Sequence, residues 1–561
     1  MTADTVALQL INNGLRYASE EMGLALRNAA YSPNIKERMD HSAAIFDWKG
    51  RLLAQAEHIP VHLGSLPWGL KNLIEICDRV GPSFEEGSMV MANNPYICGT
   101  HLNDVTVIAP VYSSGALVAF VANKAHHSDV GGKVPGSISM ESATLAEEGF
   151  VMEPVRLTRG RAFVSGALNE FSLASMTPRE RLGDLRAQAA ANNTGERRVK
   201  ELISKYGLDA FKRSASFSFT HSETMVRKRL SALKQGSFAA AEVLEGRDGA
   251  DLQLRATVRV GREGVEVDYT GTGAQVDYPL NSVFGVTLSG VYYVLRTLTG
   301  DDIPTNHGAF ACVSVTAPAG TLLNPTPPHP VGGGNVETSQ RNADLIYRAL
   351  AKAAPHLVPA AAGGSMNNIM TGGRLGDSNW AFYETIGVGL GGRKGIDGID
   401  GIQCNMTNTM NTPIEEIERS IPLMMIKYEF RPDSSGAGEW RGGSGLVRRY
   451  RILADMTTFT VLADREKHSP WGLFGGRSGR RTEVLVRRGG RESKVPAKTT
   501  LVLDRGDEVE IRTAGGGGFG PPVKRRRSSV QRDVADGLVS PAASRRAYVH
   551  ARLSGRQLRS R

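Results

Sequence analysis

Two polar clusters, His101-x-x-Asp104 and His126-His127-x-Asp129, hold the residues of this chain best suited to chemistry, and they sit at the two ends of what reads as one β-hairpin. The apolar runs Val105 to Tyr112 and Leu117 to Ala122 flank Ser113-Ser114-Gly115, which has the small, polar and glycine residues of a turn. In an antiparallel hairpin the residue before the first strand faces the residue after the second. Asp104 is therefore expected across from Ala125 or His126, with His101 one short turn away. Two imidazoles and a carboxylate suit zinc, manganese or iron. Three protein ligands leave positions open for water or substrate, as in a catalytic rather than a structural site. His and Asp at strand ends also serve as plain turn and capping residues, so it is the third ligand folded onto the pair that points to a metal.

A second hairpin, Ala43 to Trp48 and Arg51 to Ala56 turned at Lys49-Gly50, carries Asp40-His41 at one end and Glu57-His58, with His62, at the other. If the two hairpins lie side by side, Asp40, His58 and His62 join the metal site as an extra ligand or as partners of the ligands. Glu57, His58, His127 and Asp129 are the candidate proton carriers. Ahead of them Leu8, Ile11, Leu15, Met22 and Leu26 recur at helical spacing after Asp4, so residues 5 to 28 read as an amphipathic helix rather than a signal peptide. Cytoplasmic residence is the expectation.

Four cysteines, none in a Cys-x-x-Cys pair, give neither a disulfide framework nor a thiolate zinc site, so the ligands are nitrogen and oxygen. No apolar stretch is long enough to span a bilayer, and no membrane association is expected. The net charge of +10 is uneven: Val523 to Arg561 holds eleven Lys and Arg against two Asp, leaving 56 basic and 55 acidic residues before it. Lys524 to Arg527 is expected to be a solvated tail, and with no interleaved aromatic residues a nucleic-acid partner is not favoured.

Farther along, Thr177 to about Tyr206 and then Thr220 to Leu244 read as charged surface helices. From Leu252 the pattern turns to alternation, with a hairpin turned at residues 261–264, and residues 420 to 520 alternate again. Glycine-rich loops recur, but none has a phosphate-binding pattern. Of these, Gly332-Gly333-Gly334-Asn335 opens a helix running to about Ala354, and Gly333, Gly334 and Asn335 are the candidate substrate-binding residues, since a helix N-terminus holds a carboxylate or phosphate. The expected fold class is α+β, a large mixed-sheet protein of two intertwined lobes with a β-rich C-terminal region. Its expected parts are an N-terminal metal-binding lobe (1–240), a glycine-rich β-containing lobe (241–522) and a basic C-terminal tail (523–561).

Several stretches carry a family likeness. They include Glu37-Arg38-Met39-Asp40, Glu57-His58-Ile59-Pro60-Val61-His62, Gly99-Thr100-His101-Leu102-Asn103-Asp104, Lys124 to Gly132, Pro330 to Asn335, Met406-Thr407-Asn408-Thr409 and Gly515 to Gly520. On these the chain resembles the B-type subunits of ATP-dependent hydantoinases and oxoprolinases, a family that includes the caprolactamase beta subunit and the acetone carboxylase alpha subunit. The resemblance implies an A-type partner that binds ATP and phosphorylates the substrate, and a hetero-oligomer in which this chain's metal supports hydrolysis of a small cyclic amide. By the same resemblance the ligands are His101, Asp104 and His126. A carboxylase subunit of the acetone type and a stand-alone metallohydrolase are the alternatives. One departure is Gly401 to Asn405, where many members have histidines, which leaves lactams, cyclic imides and ketones open as substrates.

Overall fold

Seven strands build the sheet that carries the two hairpins: β1 (His41–Asp47), β2 (Leu52–Ala56), β3 (Met89–Ala92), β4 (Asp104–Ser113), β5 (Ala116–His126), β6 (Val155–Arg159) and β7 (Ala162–Phe163), in the order β2-β1-β5-β4-β3-β6-β7. The computed structural model describes residues 3–56 and 58–548. β4 and β5 form the expected hairpin, and its register sets Asp104 opposite His126. β1 pairs antiparallel with β5, with His41 opposite Ala125, so the two hairpins do lie side by side.

Central strands covered on both faces read as nearly unbroken apolar runs, and β4 shows why. Val105, Val107, Ala109 and Val111 enter the large core on one face, while Ile108 meets Phe46 and Phe120 on the other. The helix His62–Arg79 closes that second face with Leu66, Leu70 and Leu73. Helices Ala3–Ala29 and Pro178–Tyr206 pack on each other over the first face.

The helix Pro178–Tyr206 differs from the solvated surface helix its composition suggests. Its inner stripe is polar: Gln188 donates to the Val105 carbonyl at 2.8 Å and Asn192 to the Val107 carbonyl at 3.0 Å. Buried amides are tolerated when hydrogen-bonded, and hydropathy alone does not reveal the partner. A second correction concerns residues 232–244. The helix Leu208–Ser231 ends, and Gly236–Glu245 is a strand running across position 240, held by Asp251–Val260 along its whole length.

Three more sheets follow. Gly236–Glu245, Asp251–Val260 and Val265–Asp268 are antiparallel, and Val313–Thr316 adds a parallel edge. Asn368–Leu375, Ser378–Glu384, Thr457–Leu462 and Lys498–Leu503 form the third sheet, and five strands between Leu423 and Arg512 form the fourth. The fold is mixed α+β, as expected. One hydrophobic cluster runs from Ile11 through Val291 to Leu462, so the early and middle parts of the chain share a core, and a second cluster lies within the C-terminal sheets.

The basic run after Val523 is less solvated than its composition suggests. Arg525 is buried and reaches Asp397 at 2.7 Å and Asp533 at 2.8 Å, because the helix Arg527–Ala535 folds back onto the body. Among the described residues no helix is long and apolar enough to cross a membrane. All four cysteines are free and buried.

Candidate metal centre

The β4–β5 register brings three ligand atoms into one triangle. His101 Nε2 lies 3.1 Å from Asp104 Oδ1 and 3.1 Å from His126 Nδ1, and His126 Nδ1 lies 3.2 Å from Asp104 Oδ1. All three residues are buried. Ligands held about 2.0–2.1 Å from a divalent ion stand about 3.3–3.4 Å apart in a tetrahedron and about 2.9 Å apart in an octahedron, so this triangle matches one face of either. Three lone-pair donors at such separations repel one another, and one proton can bridge only one pair. A cation serves all three. Among the described residues, no other group of three His, Cys, Asp or Glu side chains is arranged to hold a metal ion.

The shifts of His126 and Asp104 favour their ligating forms. Burial holds the His126 and His62 imidazoles below their usual range despite the neighbouring Asp104. For Asp104 burial works toward the neutral acid. The electrostatic pull and hydrogen bond of the adjacent His101 ring, with the hydrogen bonds of His126 and His62, outweigh it and keep the carboxyl well below the usual carboxylate range. Neutral imidazoles and an ionised carboxylate are the forms that bind metals.

His62 is the fourth member of the cluster. Its Nε2 lies 3.2 Å from Asp104 Oδ2, and its Nδ1 lies 2.9 Å from Ser42 Oγ. With Nε2–H donating to the carboxylate and Ser42 donating to Nδ1, Oδ2 is tethered and Oδ1 is left facing the two imidazoles. The outer nitrogens, His101 Nδ1 and His126 Nε2, have no hydrogen-bond partner among the described residues, unlike the usual metal-bound histidine. The His126 ring is fixed by stacking on Tyr383 at 4.4 Å, with the Arg38 guanidinium 5.0 Å from the Tyr383 ring centre.

Beside the triangle is a cavity of about 20 Å³, lined by Asp40, His62, Asn335, Tyr383, Thr385 and Thr407 among others. That is room for about one water-sized group. The structure thus brings Asp40 and Asn335 to the site. The Asp40 carboxylate makes no hydrogen bond or ion pair among the described residues, and Asn335 Oδ1 is buried without a partner.

Other expected site residues lie elsewhere. His58 turns to the first helix, 3.5 Å from Glu20 and against Gly23. His127 is hydrogen-bonded to Gln188 at 3.0 Å and packs on Phe171, and burial with the nearby Arg181 pushes its imidazole down to about 4. Asp129 tethers loops, accepting from Gly136 and Ser137 on one oxygen and from Ser175 and Met176 on the other. Glu57 lies outside the described residues.

The glycine loop holds a carboxyl group, but it is the chain's own. Glu148 accepts the Val331 and Gly332 amides at 2.9 and 2.7 Å. Burial pushes its carboxyl up to about 7, against the pull of those two hydrogen bonds. Gly333 and Gly334 press on backbone instead: a Cβ at Gly334 would stand 1.8 Å from the Asn281 carbonyl oxygen and one at Gly333 2.5 Å from that of Pro279. Past them the chain makes a π-helical turn, Gly334–Thr338, before the helix Ser339–Leu350, a distortion common at functional sites. Tyr383 and Thr385 carried no sequence signal. Thr407 lay in a stretch matched only through family likeness, whereas Asn335 was marked by its glycine-rich loop at the start of a helix.

Residues 4–522 match the model of one family, described as hydantoinase B/oxoprolinase. An uncharacterised protein of Methanocaldococcus jannaschii is 43% identical over 97% of this chain and 96% of its own length. A putative B-type subunit of a D-/L-hydantoinase from a Pseudomonas species is 31% identical over 96% of this chain and 93% of its own. Against the 5-oxoprolinases of Dictyostelium discoideum and Arabidopsis thaliana, at 33% and 35% identity, the chain spans about two-fifths of their length. Among solved structures, the ATP-dependent caprolactamase of Pseudomonas jessenii superimposes with a TM-score of 0.92 at 28% identity, covering 99% of this chain and 97% of that one. Acetone carboxylase shares the fold, with a TM-score of 0.91 at 18% identity over 97% of this chain and 79% of that one.

Proposed function

This chain belongs to the hydantoinase B/oxoprolinase family, and on that premise we propose that it is the metal-binding B component of an ATP-dependent cyclic amide hydrolase. It acts on a substrate that a separate A-type subunit has phosphorylated with ATP. The observation that carries this reading is the buried triangle of His101 Nε2, Asp104 Oδ1 and His126 Nδ1.

Those three atoms would hold a zinc, manganese or iron ion. When bound, such an ion supplies Lewis acidity and lowers the pKa of water toward neutrality. His62 and Ser42 orient Asp104, and Tyr383 holds the His126 ring in plane. Asp40, at the cavity with no partner for its carboxylate, is placed to take a proton from an attacking water, and Asn335 offers a hydrogen bond to the reacting group. The small buried cavity limits access of bulk water, which protects an activated substrate from reaction elsewhere. A lactam amide is a poor electrophile. Phosphorylation at its oxygen gives an imidate-like carbon with a good leaving group, which accounts for a nucleotide-using partner beside a chain without a phosphate-binding motif.

The test is ATP hydrolysis by this chain co-expressed with its A-type partner, on 5-oxoproline, hydantoin and caprolactam, with and without bicarbonate. The expected result is substrate-dependent phosphate release that needs both chains, needs no bicarbonate and disappears in His101→Ala. Turnover by the isolated chain without ATP overturns the coupled reading. A bicarbonate requirement replaces hydrolysis by carboxylation.

A further inference from the structure

The metal cavity, at about 20 Å³, is far too small for a cyclic amide, since pockets for small ligands measure about 300–1,000 Å³. A pocket of about 550 Å³ adjoins it. The two share Ile59, and Thr407 lines the metal cavity while the next residue, Asn408, lines the larger pocket. We infer that this larger pocket receives the anionic, activated substrate and presents it to the metal cavity past Ile59. This rests on the proposed function, whose substrate class it narrows.

Three polar side chains lining the pocket have no hydrogen-bond partner among the described residues. Gln55 is 4% exposed, and neither atom of its amide group is hydrogen-bonded, although buried amides are seldom left unmet. Asn408 and Arg393 stand at the rim with unpaired amide and guanidinium groups. An amide donor and acceptor deep in the pocket match the C=O and N–H of a cyclic amide. Arg393 at the mouth matches a carboxylate or phosphate. Ile59, Pro60 and Leu63 supply an apolar wall for the ring methylenes. The charged residues of its lining are two guanidinium groups, Arg296 and Arg393, and one carboxylate, Asp301, a balance that favours an anion.

A second pocket borders the metal cavity at Tyr383, but its charged lining residues are Glu180 and Glu416, which repel an anion. Tyr383 also blocks that route, since its ring is held between His126 and Arg38.

Binding to the full-length chain, without ATP or partner, separates this inference from the catalytic reading. Methyl NMR of Ile59 and Leu63 is followed while 5-oxoproline, inorganic phosphate or the neutral lactam 2-pyrrolidinone is added. The same titrations are run on Arg393→Gln, Gln55→Leu and Asp104→Asn. Expected are saturable shifts with 5-oxoproline and with phosphate, at least tenfold weaker in Arg393→Gln, and retained in Asp104→Asn. For 5-oxoproline they also weaken at least fivefold in Gln55→Leu, whereas phosphate, with no amide, is indifferent to that change. Three results overturn it: no saturable shift with either anion; equal affinity for 2-pyrrolidinone and 5-oxoproline; or a response at the Trp380 indole with none at Ile59 and Leu63, which puts binding in the pocket beyond Tyr383. Loss of the shifts in Asp104→Asn assigns binding to the metal triangle and overturns it as well. Failure of the coupled ATP assay with these shifts intact leaves the pocket standing and removes only the reaction.

Discussion

Two buried polar clusters in this molecule behave in opposite ways. Around His101, Asp104 and His126 the three inner ligand atoms point at one another beside a small cavity, where Asn335 Oδ1 is left without a partner among the described residues. Around Asp344 and Asp464 each carboxylate meets a cation: Asp344 pairs with Arg465 at 2.6 Å, and Asp464 with Arg341 and with Lys498 at 2.7 Å. That second cluster ties the helix Ser339–Leu350 to the third sheet. Burial alone would raise the Asp464 carboxyl, but Lys498 and Arg341 hold it well below the carboxylate range. Buried charge that is paired marks a clamp, and buried donors turned toward a common empty point mark a binding site.

The sharpest way to break this contrast is to treat each cluster as if it were the other. His101→Ala should cut partner-coupled turnover at least about a thousandfold, roughly 4 kcal/mol of activation free energy, while the thermal unfolding midpoint of the metal-free protein barely moves. Asp464→Asn should do the reverse, costing about 3–5 kcal/mol in denaturant unfolding because Lys498 loses its carboxylate and buried Arg341 keeps only that of Asp344, with metal content retained. If His101→Ala unfolds the chain and Asp464→Asn releases the metal, the roles are exchanged.

Glu337 joins the two clusters and sharpens the comparison. One of its oxygens accepts from Met366 and Asn368, the latter in turn bonded to Tyr383, and the other has no partner. Burial, helped by Asp464, pushes its carboxyl up to about 8 from 4.5. A raised carboxyl pKa stabilises the fold fully below about 4.5 and less and less as pH rises through about 8. Relative to Glu337→Gln, wild-type stability should therefore fall by about a few kcal/mol between pH 5 and pH 9, as followed by urea unfolding of both chains, because that difference isolates Glu337 from the other buried titrating groups. An unchanged slope in the variant would detach Glu337 from both clusters. The smallest effect belongs to His62→Ala, which frees Asp104 Oδ2. Metal affinity should drop about 10- to 100-fold by competition with a chelator, with the fold intact.

The same contrast explains what was legible. His101, Asp104 and His126 sit on one hairpin, and the alternation of apolar residues with a Ser-Ser-Gly turn fixes its register, so the triangle follows from local pattern. The neighbouring hairpin β1–β2 was equally readable, and with it the arrival of Asp40 and His62. Tyr383 and Thr385 reach the site from the end of a strand of another sheet and the residue just past it, and the clamp joins Asp344, Asp464 and Lys498 from three distant stretches of chain. No periodicity encodes such encounters. The Gly332–Asn335 loop was legible as a place for a carboxylate or phosphate, but its amides at Val331 and Gly332 meet the Glu148 carboxyl, whose distance in sequence hid the pairing. Residues 232–244 misled because Ala-rich, Glu-rich strands carry helix-forming composition, and only their pairing with Asp251–Val260 makes them extended.

The most direct measurement of the central claim is the number of divalent ions bound per chain in wild type and in Asp104→Ala, determined by elemental analysis after titration with zinc, manganese and iron and removal of excess metal. One ion per wild-type chain and none in the variant, at matched thermal stability, is the predicted result. A wild-type chain that retains no ion, or a variant that retains it in full, would contradict the assignment of His101, Asp104 and His126 as the metal centre.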